Sequence, residues 1–258
     1  MKFGERIRAA QTDNLVITKA HEPWAEAQTR YSHEAIEFAH QQMQKVDRDR
    51  RGTVSASGLK SCARAQSFTF LGMPKRRVTA QQHGIFTNGD MVHLRWQMNG
   101  LSQGWLAEAE VPIGENDLRL SGTRDGVMSN GDLLEIKSIN ANGWSRLQTF
   151  GVQEGHVYQV ATYGYAADHH RAHVLYENKN TQEYREYIVD ITDEVVDDLV
   201  KRTETIWGYL DSETLPPVLD ACWDHTGFDY NYCPFRDQCM KVNSWSEAKE
   251  IADEHHAG

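Results

Sequence analysis

The stretch from Gly122 to Ile139 constrains the fold of this chain more than any other. Two short apolar runs, Gly122-Thr123-Arg124-Asp125-Gly126-Val127 and Leu133-Leu134-Glu135-Ile136-Lys137-Ser138, flank Ser129-Asn130-Gly131-Asp132. Asn-Gly between alternating residues predicts a tight β-hairpin, because both residues tolerate positive φ. Side chains alternate along a strand, so Glu135 and Lys137 share one face while Ile136 enters the core. Asp125, on the partner strand, reaches that same face. The bland alternative is an exposed Glu-x-Lys edge beside an ordinary Asp-Gly turn. Leu133, Leu134 and Ile136 mark the strand as buried instead, and a buried charge without a partner is costly. Two carboxylates and an ammonium meeting at a strand pair suit a hard cation, Mg2+ or Mn2+, and a water nucleophile. That is the chemistry of phosphodiester hydrolysis.

Around the hairpin the patterning predicts an α/β fold with a mixed central sheet flanked by helices. Ser32 caps a helix whose stripe is Ala35, Ile36, Phe38, Ala39 and Met43. Residues 53–58 form a turn before a helix carrying Leu59, Cys62 and Ala63. A helix over 81–99, ended by Gly100, places His93 on one side. Strands are expected over 105–113, 118–122, 124–128 and 132–139. A loop leads to a helix over 153–167, then strands over 173–177 and 183–189. Thr192 caps an amphipathic helix over 193–210, which Pro216-Pro217 stops. The chain divides into an N-terminal helical extension 1–54, a core 55–215 and a cysteine-bearing segment 216–258.

A net charge of −10 argues against nucleic-acid binding over the whole surface, but affinity needs only a few cations that meet phosphates. Three local clusters qualify: Arg48, Arg50 and Arg51; Lys60 and Arg64; Lys75, Arg76 and Arg77. A charge run is usually a solvated face, so not every cluster is expected to serve. No apolar run approaches the roughly 18 residues of a membrane span, and Met1-Lys2-Phe3-Gly4-Glu5-Arg6 lacks a secretory apolar region. The expected location is cytoplasmic, where thiols stay reduced and the four cysteines point to metal ligation.

Three further features stand in order around the hairpin. They are His93 in Asn88-Gly89-Asp90-Met91-Val92-His93, the pair in Gln159-Val160-Ala161-Thr162-Tyr163, and a split set, Cys62 then Cys222, Cys233 and Cys239. With them, Gly-x-x-Asp-Gly followed by Glu-Ile-Lys resembles the PD-(D/E)XK nuclease core, in the RecB-like exonuclease branch of the CRISPR-associated and viral enzymes. The resemblance spans about residues 55–240. It implies a restriction-endonuclease-like core in which Asp125, Glu135 and the Ile136 carbonyl hold Mg2+ or Mn2+, with His93 adding an imidazole. Lys137 then orients or deprotonates the attacking water, and Gln159 and Tyr163, neighbours at i and i+4, border the site. Glu110 is an additional carboxylate, with Glu108 on the same face, and Arg64 either contacts a phosphate or caps a helix end.

The same resemblance implies a 4Fe–4S cluster on Cys62, Cys222, Cys233 and Cys239, joining the N- and C-terminal segments. Four thiolates satisfy Zn2+ equally well, and unligated thiols are the third reading. Ten residues separate Cys222 from Cys233, where the family often shows two, while the five between Cys233 and Cys239 agree. His225 is a substitute ligand. The implied activity is a DNA exonuclease on single strands or ends, in recombination, repair, replication or adaptation. DNA is the partner, no membrane is involved, and a homo-oligomer or a recombination or adaptation protein is compatible. Its rivals are a structure-specific endonuclease, a non-cleaving DNA-binding accessory subunit of the same fold, and a cluster-based redox protein.

Overall fold

Apolar runs of period two build a five-stranded sheet in which the acidic hairpin lies near the middle. The computed structural model describes residues 15–27, 29–45, 50–223, 225 and 227–257, with backbone only for 227–229. Arg48 therefore lies outside the described residues. The elements are α1 (Val16–Glu26), α2 (His33–Met43), β1 (Val54–Ser55), α3 (Ala63–Leu71) and α4 (Ala80–Gln103). Then come β2 (Leu106–Pro112), β3 (Leu120–Ser121), β4 (Thr123–Met128), β5 (Leu133–Ile139), α5 (Ala141–Phe150) and α6 (Glu154–Ala167). The remainder are β6 (Arg171–Asn178), β7 (Tyr184–Asp190), α7 (Asp193–Asp211), α8 (Asp220–Trp223), α9 (Gly227–Tyr232), α10 (Arg236–Cys239) and α11 (Trp245–Ala257).

The sheet order is β2-β4-β5-β6-β7. Only β5 and β6 are parallel, since the chain crosses through α5 and α6 between them, as a parallel pair requires. Alternation along β5 sorts its side chains between two cores. Leu133 joins Trp144, Leu147, Val160 and Ala161 on one face. Leu134 and Ile136 join Val92, Trp96 and Leu175 on the other. A third apolar cluster, with Phe68, Met73, Phe235, Val242, Ala248 and Ala252, seats the C-terminal segment on α3.

Several elements differ from the sequence reading. The expected strand over 118–122 shrinks to β3, which pairs in parallel with β1 in a separate ribbon. Cys62 sits at the N-cap of α3, so Leu59 precedes that helix rather than riding on it. Helix α4 begins with a Thr79–Gln82 capping box and runs on to Gln103, where Gly104 takes the left-handed conformation. Gly100 therefore lies inside the helix, where close packing requires glycine, since a Cβ there would meet Leu106 Cβ at 2.6 Å. Helix α5 replaces an expected loop: Asn140 Oδ1 accepts from Gly143 N–H at 2.8 Å, and Trp144 and Leu147 are buried. Its polar composition hid the three-residue apolar spacing.

An ionic triad centred on buried His173 ties α1 to the sheet. His173 Nδ1 lies 2.6 Å from Glu186 Oε1 and Nε2 lies 2.9 Å from Asp132 Oδ2. Both partners only accept, so both ring nitrogens donate and the ring is an imidazolium. Glu186 also accepts from the N–H groups of Val16 and Thr18 at the start of α1, where the helix dipole favours an anion. Burial opposes the charge on His173, but Glu186 and Asp132 raise its pKa above the usual imidazole range. Burial likewise opposes Glu186, and the His173 and Thr18 hydrogen bonds carry its pKa below the usual carboxylate range. The triad's contribution is thus complete between the ordinary carboxylate and imidazole ranges. It is lost as pH rises through the raised His173 value, or falls through the depressed Glu186 value. Breaking a buried pair costs about 3 kcal/mol. Melting across pH is expected to show an alkaline fall in the wild type and none in a less stable His173→Asn variant; parallel curves would refute it.

Candidate active site

The site arises where β4 and β5 part. Their ladder pairs Val127 with Leu133 and Gly126 with Leu134, and no further pairing follows. The Ile136 N–H donates instead to Asp125 Oδ2 at 2.6 Å, so a carboxylate replaces a backbone acceptor. Asp125 Oδ1 lies 3.3 Å from His93 Nδ1, brought in by α4 across the sheet. Glu135 is 1% exposed and contacts Lys137 Nζ through Oε1. Lys137 Nζ also donates to Gln159 Oε1 at 3.1 Å, and Gln159 Nε2 donates to the Tyr163 hydroxyl at 3.3 Å. The structure therefore brings Asp125, Glu135, Lys137, His93, Gln159 and Tyr163 together. Ile136 itself is fully buried, with its N–H on Asp125.

Glycine at position 122 also finds a reason. A Cβ there would meet the Tyr163 ring at 2.8 Å, so the ring lies directly on the backbone that leads to Asp125. Glu110 falls opposite Asp125, because Ala109 pairs with Gly126 and Val111 with Arg124. Its φ of 55° is unusual for a residue other than glycine. Gln97 Nε2 donates to Glu110 Oε1 at 3.0 Å and to the Asp125 carbonyl at 2.8 Å, while Lys45 holds Glu110 Oε2 at 2.8 Å. A cleft of about 690 Å3 lies beside these groups, lined among others by Arg50, Ser55, Ser57, His93, Glu110, Gln159 and Tyr163.

Electrostatics separate the two carboxylates. Burial pushes the Asp125 pKa up, but His93, Lys137 and the Ile136 N–H carry it below its usual range. At Glu135 burial wins over Lys137 and pushes the carboxyl up to about 7. Burial opposes the charges on His93 and Lys137, yet Asp125 and Glu135 respectively outweigh it and raise both pKa values. Lys137 thus stays an ammonium at neutral pH, suited to donating hydrogen bonds rather than removing a proton.

The donor set fits a hard cation. Neither oxygen of Glu135 receives a well-formed hydrogen bond despite the Lys137 contact, and a buried carboxylate left in that state is costly. Among the described residues no three His, Cys, Asp or Glu side chains meet at the spacing of one ion's ligands.

The four cysteines line one apolar cavity with Phe68, Leu219, Tyr230 and Phe235. None forms a disulfide. Burial raises the Cys239 pKa, partly offset by Arg64. A four-thiol lining of one cavity fits a group held by four thiolates.

Of the two roles expected for Arg64, the structure places it at a helix end, on the last carbonyl of α10, rather than facing a phosphate path. It is 5% exposed, and its guanidinium donates to the carbonyls of Pro216, Cys239 and Val242. Lys60 pairs with Glu154 beside the Tyr158 ring, whereas Arg50 lines the cleft. Two residues beside the site escaped the sequence reading. Gln97 follows His93 by one helical turn, and that spacing was the available signal. His156 precedes Gln159 on α6 and meets the Tyr176 hydroxyl at 2.6 Å through Nδ1. Burial first, and the Lys137 charge second, push its pKa down to about 3, so the ring is neutral.

Sheet order and crossover together define an α/β protein with a mixed, mostly antiparallel central sheet flanked by helices, a fold shared with solved structures. The solved structure of LHK-Exo in complex with dAMP is similar at TM-score 0.51 and 14% identity, over 64% of this chain and 90% of that chain. SSO0001 is similar at TM-score 0.51 and 17% identity, over 80% of this chain and 93% of that one. A second structure of LHK-Exo, described as an alkaline exonuclease from Laribacter hongkongensis, gives 0.48 and 13%, over 64% and 90%. No protein-family model and no curated protein matches this sequence. Among the described residues no helix is long and apolar enough to cross a membrane.

Proposed function

We propose that this chain is a divalent-metal-dependent deoxyribonuclease of the RecB-like type, an exonuclease on single-stranded DNA or DNA ends. The observation that carries the reading is the parted β4–β5 pair, which gathers buried Asp125 and Glu135 with partly exposed Lys137 beside a polar cleft. Asp125, Glu135, His93 and the Ile136 carbonyl would hold Mg2+ or Mn2+, with Glu110 as a further carboxylate. Bound there, the ion supplies Lewis acidity at the phosphate and a lowered pKa for water.

The chain's own groups do the rest. Lys137 presents its ammonium to the water and to charge building on the scissile phosphate. Gln159, bonded to both Lys137 and Tyr163, fixes the direction of that ammonium. Arg50, Thr53, Ser55 and Ser57 line the cleft and offer donors for phosphate oxygens. The likeness to LHK-Exo, an alkaline exonuclease solved with dAMP, supports the same reading.

End-labelled single strands incubated with Mg2+, Mn2+ or EDTA provide the test. Cleavage with either ion and none in EDTA is expected; its absence with both leaves the non-cleaving DNA-binding subunit. Degradation of circular single strands would favour the endonuclease alternative.

The reading extends to a 4Fe–4S cluster on Cys62, Cys222, Cys233 and Cys239, which line one cavity. Protein purified without oxygen is expected to be brown, with a broad visible absorbance that Cys239→Ser diminishes. A colourless protein containing stoichiometric zinc would overturn the cluster, since closed-shell Zn2+ has no redox or visible signature.

A further inference from the structure

We infer that the free N-terminal half of α4 is a stacking arm for the substrate strand, with Phe86 packing against a base of single-stranded DNA. This rests on the nuclease reading above and extends it to how the strand is held. Helix α4 changes character along its length. Every residue from 83 to 88 is exposed, whereas Val92, Leu94, Trp96, Gln97, Asn99 and Gly100 are buried. Phe86 is 57% exposed, with Ile85 and Met91 exposed nearby. Isolated helical turns are marginal in water, and glycine weakens them further; a Cβ at Gly84 or Gly89 would meet nothing. Continuity with the buried half and the capping box at Thr79 hold the arm in place. An aromatic ring on such an arm contributes nothing to the core.

The helical period aims that ring. Phe86, Asp90, His93 and Gln97 follow one another by four, three and four residues, and so share one stripe. His93 and Gln97 contact Asp125, and Asp90, His93 and Gln97 line the cleft. Phe86 lies seven residues before His93, about 10 Å along the axis. The stripe therefore continues the cleft outward to an exposed aromatic face.

Charge selects the occupant. From Lys75 to Gly89 the chain holds three cations, Lys75, Arg76 and Arg77, and no acid, within a protein of net charge −10. The Arg76 N–H, bonded to the Pro234 carbonyl at 2.9 Å, anchors this basic root. Asp90 repels phosphates from the stripe itself, so a strand following it turns bases inward and backbone toward the cations. Basic residues at the root of an arm that carries an exposed aromatic ring combine the two chemistries of single-strand binding.

The test uses the full chain, fluorescein-labelled oligothymidylate and Ca2+, read by anisotropy, so that binding is scored without turnover. Phe86→Ala is expected to weaken binding about 5- to 160-fold, the range of one stacked base, and Phe86→Trp to restore it. An abasic residue at one strand position should cost the wild type the same factor and Phe86→Ala nothing. Equal affinity of wild type and Phe86→Ala overturns the inference. So does an abasic penalty identical in both proteins at every position. A halved mass for Phe86→Ala in light scattering also overturns it, assigning the arm to a second copy of this chain. Wild type that binds without cleaving in Mn2+ defeats the nuclease reading while leaving the stacking arm standing.

Discussion

Lys137→Ala protein is expected to fold like the wild type and to cleave DNA in Mn2+ at least about 100-fold more slowly. The ammonium touches Glu135 directly and combines a fixed positive charge with partial exposure. It is held between Glu135 and Gln159 and kept charged by Glu135 and Asp125. Its removal costs little stability for a specific reason. Glu135 already has its pKa pushed up to about 7, so it takes a proton when its partner disappears. Lys137→Arg is not expected to rescue, because a planar fork cannot replace a compact ammonium at this spot. Initial rates and melting midpoints measured on the same preparations decide the matter. An unchanged rate would remove Lys137 from the chemistry; a collapsed melting transition would mean that its role is structural.

Arg64→Ala is expected to destabilise the chain by at least about 3 kcal/mol, with the damage centred on residues 216–257. The guanidinium joins α3 to three carbonyls, those of Pro216, Cys239 and Val242, and packs over the Phe68 ring at 5.3 Å. Truncation strands those acceptors, at roughly 1–3 kcal/mol for each buried polar group left unpaired. Lysine at this position should not restore stability, since one ammonium cannot reproduce the forked geometry. Hydrogen exchange should show faster opening of α10 and α11 before the sheet. Uniform exchange across the chain, or an unchanged melting midpoint, would refute the clamp. The third apolar cluster already seats the C-terminal segment on α3. The clamp and that cluster thus act whether or not the cysteines hold a group.

The hairpin was legible because its signals are local. Asn130-Gly131 and the alternation of Leu133 to Lys137 need no distant partner, and the observed pairing follows them. The i, i+4 spacing of Gln159 and Tyr163 was legible for the same reason, and the two side chains are hydrogen bonded. The choice between the two roles of Arg64 was not legible because its partners lie more than 150 residues away, and nothing near it reveals whether it faces solvent or carbonyls. Helix α5 was missed because its stabilising contacts, through Trp144 and Leu147, belong to a core assembled from remote segments.

By itself the sequence determined where strands turn, which residues alternate inward, and which charged side chains share a face with the core. Those are short-range consequences of chirality, pleat and helical period. Only the tertiary structure decided that β4 and β5 part after Gly126, that Asp125 takes a backbone N–H in the gap, and that α4 delivers His93 and Gln97 to it. It alone gathered Cys62 and three cysteines from the other end of the chain around one cavity. Convergence of this kind depends on how sheet twist, helix packing and distant apolar faces close on one another, and no local pattern encodes it.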